Sequence, residues 1–258
     1  MTVSLPARAP WRPLRWTPLA LVVLLQIGYP LTAGPARATL VVVTVFVGYA
    51  VSAAHAFTTR GVRAGATLLA VTTGGGLAVE AIGLATGFPF GAYVYGAALG
   101  PRLLGVPVVV PLAWTWMAWP AWLAATHLVR RAAARIGLAA LGLAGWDLFL
   151  DPQMVAAGYW RWTEPTAAGL PGAPGVPVRN HLAWLGVALL MMTLLAAAGG
   201  PRLGDVGPAD TPLLWFYLWT YYSCVLAHAV FLGLPGSALW GGLGMGLVAV
   251  PLTLRLRR

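Results

Sequence analysis

The chain has 258 residues, 59% of them hydrophobic and 9% charged, with a mean hydropathy of +0.79, which leaves too little polar surface for a water-soluble globule of this size. Its formal charge of +10 comes from 16 arginines, with no lysine, set against six acids. The arginines punctuate apolar runs and do not cluster, so they read as membrane topology and exclude a nucleic-acid surface; the lack of lysine excludes a retinal Schiff base.

A bilayer core takes about 20 apolar residues per helix. In chain order the apolar runs predict eight spans, near 17–33, 38–58, 64–86, 105–128, 132–150, 182–199, 212–233 and 237–255, with seven as the alternative count. The expected fold is therefore an all-α polytopic bundle: a tail over 1–16 and one integral domain over 17–258. Arg8, Arg12 and Arg15 precede the first run without a small-residue cleavage site after it, so that run is expected to be retained. Eight spans put Arg8, Arg12, Arg15, Arg60, Arg63, Arg130, Arg131, Arg135, Arg202, Arg255, Arg257 and Arg258 on the N-terminal side, and only Arg37, Arg102, Arg161 and Arg179 opposite. That bias predicts both termini in the cytoplasm and a multi-pass inner-membrane protein. The Gly-rich stretches at 74–76 and 241–246 are expected at close helix contacts. Cys224, the single cysteine, sits in an apolar run and is expected to pack there.

The six acids are Glu80, Asp147, Asp151, Glu164, Asp205 and Asp210. Asp205 and Asp210 fall in an inner loop and are expected to be solvated. Glu80 lies inside the third span, and Asp147 and Asp151 close the fifth at the same outer end. A carboxylate at such depth is costly unless paired, protonated or facing a polar cavity, so these three are the candidate catalytic groups. The four-residue spacing of Asp147 and Asp151 sets them one turn apart on one face, where they can share a proton and leave one able to act as an acid. The structural alternative is that either caps a helix or pairs with Arg102, Arg161 or Arg179.

The outer loops at 87–104 and 151–181 are long and aromatic. Phe88, Phe90, Tyr93 and Tyr95 in the first, Tyr159, Trp160 and Trp162 in the second, and Trp114 in the fourth span are the candidate substrate-binding residues. Aromatics beside acids suit a long polyene or prenyl chain, and aromatic faces steady a cation; an interfacial belt is the alternative for Trp160 and Trp162. Asn180 and His181 open the sixth span and His228 lies near the outer end of the seventh, close enough to approach the acids. A zinc site from His181, His228 and a carboxylate lacks diagnostic spacing, so no metal is assigned.

Four blocks carry a family resemblance. Residues 80–101 (EAIGLATGFPFGAYVYGAALGP), 105–111 (GVPVVVP) with Trp114, 146–162 (WDLFLDPQMVAAGYWRW) and 175–184 (GVPVRNHLAW) resemble the membrane carotenoid biosynthesis family that includes bisanhydrobacterioruberin hydratase. The resemblance runs over roughly 40–235. It implies cofactor-free addition of water to the terminal trisubstituted double bond of an acyclic carotenoid end, with the carotenoid in the bilayer as substrate and other carotenoid enzymes as possible partners. No catalytic residue is carried over from it. On chemistry and position, Asp147 or Asp151 is expected to donate the proton, and Glu80 with Asn180 or His181 to position the water. The rivals are an intramembrane prenyltransferase holding magnesium and diphosphate on Asp147 and Asp151, though no second acid-rich motif is present, and a non-enzymatic transporter or partner protein.

Overall fold

The computed structural model describes residues 16–164 and 168–257. Among these, the chain forms eight helical rods. They are α1 (Thr17–Gly28, extended by a 3-10 turn over Tyr29–Leu31), α2 (Gly34–Arg60), α3 (Val62–Thr86, π-helical over Leu69–Gly74), α4 (Val109–Leu128), α5 (Ala132–Ala156), α6 (Val178–Ala198), α7 (Thr211–Leu226, π-helical over Ala227–Phe231) and α8 (Pro235–Leu256). Six of them, α2, α3 and α5 to α8, are long and apolar enough to cross a membrane, and α1 is a shorter apolar helix. The protein is a multi-pass membrane protein. The predicted tail over 1–16 lies, apart from Trp16, outside the described residues.

The bundle is organised around α4, which is buried along almost its whole length. Its four tryptophans, Trp114, Trp116, Trp119 and Trp122, are buried against α2, α3 and α5, and glycines on the neighbouring helices make room for them. A Cβ on Gly76 of α3 would stand 2.8 Å from the Trp114 ring, and one on Gly145 of α5 would stand 2.5 Å from the Met245 backbone of α8. Close backbone approach of this kind is how helices associate without a hydrophobic driving force between them.

Two interior prolines show how broken backbone hydrogen bonds are repaired in this bundle. Pro120 in α4 has no N–H for the Trp116 carbonyl, and Pro152 in α5 has none for the Leu148 carbonyl; the orphaned oxygens would be costly in an apolar surround. Ser52 Oγ of α2 donates to Trp116 O at 3.0 Å, and Ser237 Oγ of α8 donates to Leu148 O at 2.7 Å. Each serine thus replaces the lost bond and ties two helices together.

The element boundaries differ from expectation in three informative places. The fourth helix begins at Val109, not near 105, because Gly105 (φ 82°) turns the short antiparallel hairpin β2 (Arg102–Leu103) to β3 (Val106–Pro107). The fifth helix runs on through Pro152 to Ala156, since Ser237 repairs its proline; Asp151 is therefore inside a helix and not at its end. Asp210 is not solvated. It is fully buried, accepting from Arg60 Nη2 at 2.8 and 2.9 Å and from the Gly207 N–H at 3.0 Å. His55 Nε2, whose Nδ1 accepts from Trp119, donates to the adjacent Ala209 carbonyl at 3.0 Å. A bare Asp cannot stay buried, and the Arg60 pairing is what brings the α6–α7 loop onto α2.

The two aromatic loops meet. β1 (Tyr93–Tyr95) pairs antiparallel with β4 (Trp160–Trp162), matching Tyr93 to Trp162 and Tyr95 to Trp160. Strand alternation sends these four rings to the helix-facing side and leaves Val94 and Arg161 outside. A further hairpin, β5 (Gly169–Leu170) with β6 (Ala173–Pro177), leads into α6.

Candidate active site

Glu80 of α3 is buried and held by neutral donors. Tyr93 and Tyr95 hydroxyls donate to its Oε2 at 2.5 and 2.8 Å, and Trp114 Nε1 donates to Oε1 at 3.3 Å. The small face at Gly76, one turn before Glu80, seats Trp114 for this contact, and the β1–β4 ribbon aims both phenols inward. Burial, and then the charge of Glu80, pushes both phenols above the ordinary tyrosine range, so they are donors at neutral pH.

Across from Glu80, Asp147 and Asp151 of α5 are both buried, with carboxyl groups that are hydrogen-bond neighbours. Asn180 Nδ2, in the first turn of α6, bridges them with a short bond to Asp151 Oδ2 and a longer one of 3.5 Å to Asp147 Oδ2. Trp160 Nε1 donates to Asp151 Oδ1 at 3.0 Å, and His181 Nδ1 lies 2.7 Å from Asp147 Oδ2. Asp147 Oδ1 and His181 Nε2 have no partner among the described residues. Among the described residues, none of the three acids pairs with an arginine: Arg102 donates to the Tyr95 and Gly96 carbonyls, and Arg179 pairs with exposed Glu164. The structural alternative of arginine pairing is thereby removed for Arg102 and Arg179.

Glu80, Asp151 and Asn180 face a common cavity of about 400 Å³. Its wall is predominantly tryptophan and aliphatic, including Trp114 stacked on Trp184 with ring centroids 3.7 Å apart, and Trp146 edge-on to both Trp116 and Trp184. Of the expected substrate-binding residues, Phe90, Tyr93, Tyr95, Trp114, Trp160 and Trp162 line it. Phe88 does not. It is 74% exposed and lines a separate surface groove with Arg179 and Glu164, because Gly87 (φ 74°) turns the chain outward just before it. Tyr159 is buried beside the cavity without lining it, and Asp147 and His181 stand one layer behind Asp151.

Sequence reasoning missed Trp116, Trp146 and Trp184 as wall residues, although Trp146 and Trp184 lie in the same short blocks as Asp147 and Asn180. It also missed Gln153, which lines the cavity and is tied to Tyr29 and to His228, 3.0 Å from the ring Nε2. Ser237 Oγ, which gives its one proton to Leu148 O, lies 2.9 Å from His228 Nδ1, and Gln153 Oε1 faces His228 Nε2. His228 thus serves this chain and not a site with His181. Among the described residues no group of three His, Cys, Asp or Glu gathers as a metal set.

A family profile described as "Carotenoid biosynthesis protein" matches residues 40–251. The chain belongs to the carotenoid biosynthesis protein family. A curated relative in this sequence neighbourhood is bisanhydrobacterioruberin hydratase of Haloarcula japonica, 35% identical over 128 residues, which span 48% of this chain and 41% of the relative. The chain thus covers well under two thirds of that relative. No solved structure matches the chain. The family match takes in every residue of the cavity's acid and tryptophan wall, and leaves out α1.

Proposed function

We propose that this member of the carotenoid biosynthesis family is a cofactor-independent hydratase. It adds water to the terminal trisubstituted double bond of an acyclic carotenoid end, in the inner membrane with both termini cytoplasmic and all eight rods spanning. The single observation that carries this is an apolar, tryptophan-walled cavity into which two carboxyl groups, Glu80 and Asp151, project without an arginine partner among the described residues. The name of the Haloarcula relative points the same way.

In this reading Asp147 and Asp151 share one proton, as close carboxyl pairs do. Asp151, on the cavity side, delivers it to the less substituted alkene carbon, and the C=C electron pair forms the new C–H bond. The positive charge then rests on the tertiary carbon, between Glu80 and the tryptophan faces. Water adds its oxygen lone pair there, and its surplus proton returns to the Asp147–Asp151 pair, restoring the starting state. Glu80, which accepts from Tyr93, Tyr95 and Trp114, steadies the cation and orients the water. Asn180 and His181 hold the carboxyl pair in register.

Expression in a host that accumulates an acyclic carotenoid, followed by mass spectrometry, tests this. The expected result is a gain of one water per reacting end with wild type, and none with Asp151→Asn or Glu80→Gln variants that accumulate normally. Full conversion by both variants would reject the assignment, and so would no gain with any acyclic substrate. Magnesium-dependent diphosphate release would instead establish the prenyltransferase reading.

A further inference from the structure

The cavity is too small for a long polyene. At about 400 Å³ it is within the range that encloses a drug-sized ligand, so it takes one end of such a chain and the remainder must leave through an opening. The wall shows where. Among the cavity-lining residues, those that are also largely exposed are Ile27 (45%), Leu31 (70%), Leu226 (56%) and Phe231 (55%). The first two lie at the end of α1 and the last two at the end of α7. All four are apolar, and no charged residue lines the wall on these two helices, so the opening suits acyl chains and not water. At the same place Trp219 Nε1 of α7 donates to Gln26 Oε1 of α1 at 2.9 Å. Both side chains line the cavity and are partly exposed. A polar bond between two helices at an apolar rim holds them in register at a small cost to open.

We infer that the cavity is loaded sideways from the bilayer, through a mouth between α1 and α7 that the Gln26–Trp219 hydrogen bond clasps. This rests on the reading of the ligand as a long acyclic polyene. The polyene's reacting end passes inward to Asp151 and Glu80 while its body stays in lipid. One side of the mouth is α1, which the family match leaves out, so α1 is where a chain of this kind can set which tail geometry it admits.

The test places bulk in the mouth. Ile27→Trp and Leu226→Trp are compared with Leu239→Trp and Leu247→Trp on the exposed face of α8, which do not line the cavity. Two readouts are taken: polyene absorbance retained by the purified protein, and hydrated product. Filling the mouth is expected to cut both by about ten- to a hundredfold, the occupancy equivalent of an overpacked site, with the α8 variants at wild-type level. Wild-type pigment and product in both mouth variants would overturn the inference. If the wild type retains polyene but hydrates none, the hydration reading fails while the entry route is still decided by pigment retention. Should the tryptophan variants not accumulate, a photoreactive benzoylphenylalanine at Leu31 is expected to capture polyene or acyl chain. Capture at outer-loop Leu103 and none at Leu31 would refute lateral loading.

Discussion

Removing the tyrosine hydroxyls from Glu80 gives the most direct energetic test of the proposed chemistry. Tyr93 and Tyr95 donate to the same oxygen, Oε2, at 2.5 and 2.8 Å, and a hydrogen bond to a charged group contributes about 1.5–3 kcal/mol. If Glu80 acts as the anion that steadies the cation, Tyr95→Phe alone is expected to lower kcat by about 10- to 100-fold at roughly 1.4 kcal/mol per decade. The Tyr93→Phe/Tyr95→Phe double variant should fall further, but by less than the product of the two, because the second phenol can partly compensate for the first at a shared oxygen. KM should change little, since the phenyl ring that lines the wall remains. The assay is initial-rate conversion of an acyclic carotenoid in proteoliposomes, with the variants first matched for folding by thermal unfolding in detergent. Retention of wild-type kcat by the double variant would refute an anionic, catalytic Glu80 and leave the two tyrosines as wall residues only.

Three further outcomes are expected. Ser52→Ala and Ser237→Ala should each destabilise the protein by about 1–3 kcal/mol, the cost of an unsatisfied buried acceptor, seen as a lower unfolding midpoint; an unshifted midpoint would mean that the proline-released carbonyls find other donors. Asp210→Asn or Arg60→Met alone should cost about 3–5 kcal/mol by stranding the buried partner, while the double Arg60→Met/Asp210→Leu variant recovers most of the loss; additive losses would contradict a buried pair. Tyr93 and Tyr95 have folded-state pKa values above the unfolded value of 10.0. Their contribution to stability is therefore complete below pH 10 and lost as the pH rises beyond it, because the unfolded chain ionises first. Difference absorbance against the double phenylalanine variant should show no phenolate signal from these two until unfolding, and a signal near pH 10 in folded protein would contradict their burial against Glu80.

Bilayer physics made the helical architecture readable from the chain itself. Twenty-residue apolar runs between arginines have few structural solutions in lipid, because every backbone group must be satisfied within its own segment, and the predicted runs each became a helical rod. The candidate acids were legible for the same reason: in a sequence with six carboxyls, any that fall at helix depth are conspicuous. Glu80 and Asp151 do face one cavity. What the sequence could not decide were relations between distant segments. Whether Asp210 was solvated depended on Arg60, 150 residues earlier; whether α5 stopped before Pro152 depended on Ser237 offering a proton to Leu148 O; and the exclusion of Phe88 depended on the turn at Gly87. The tryptophan wall and the mouth between α1 and α7 are of this kind too. Hydropathy records that a residue is apolar, while only the packed bundle decides whether it meets lipid, another helix or a substrate.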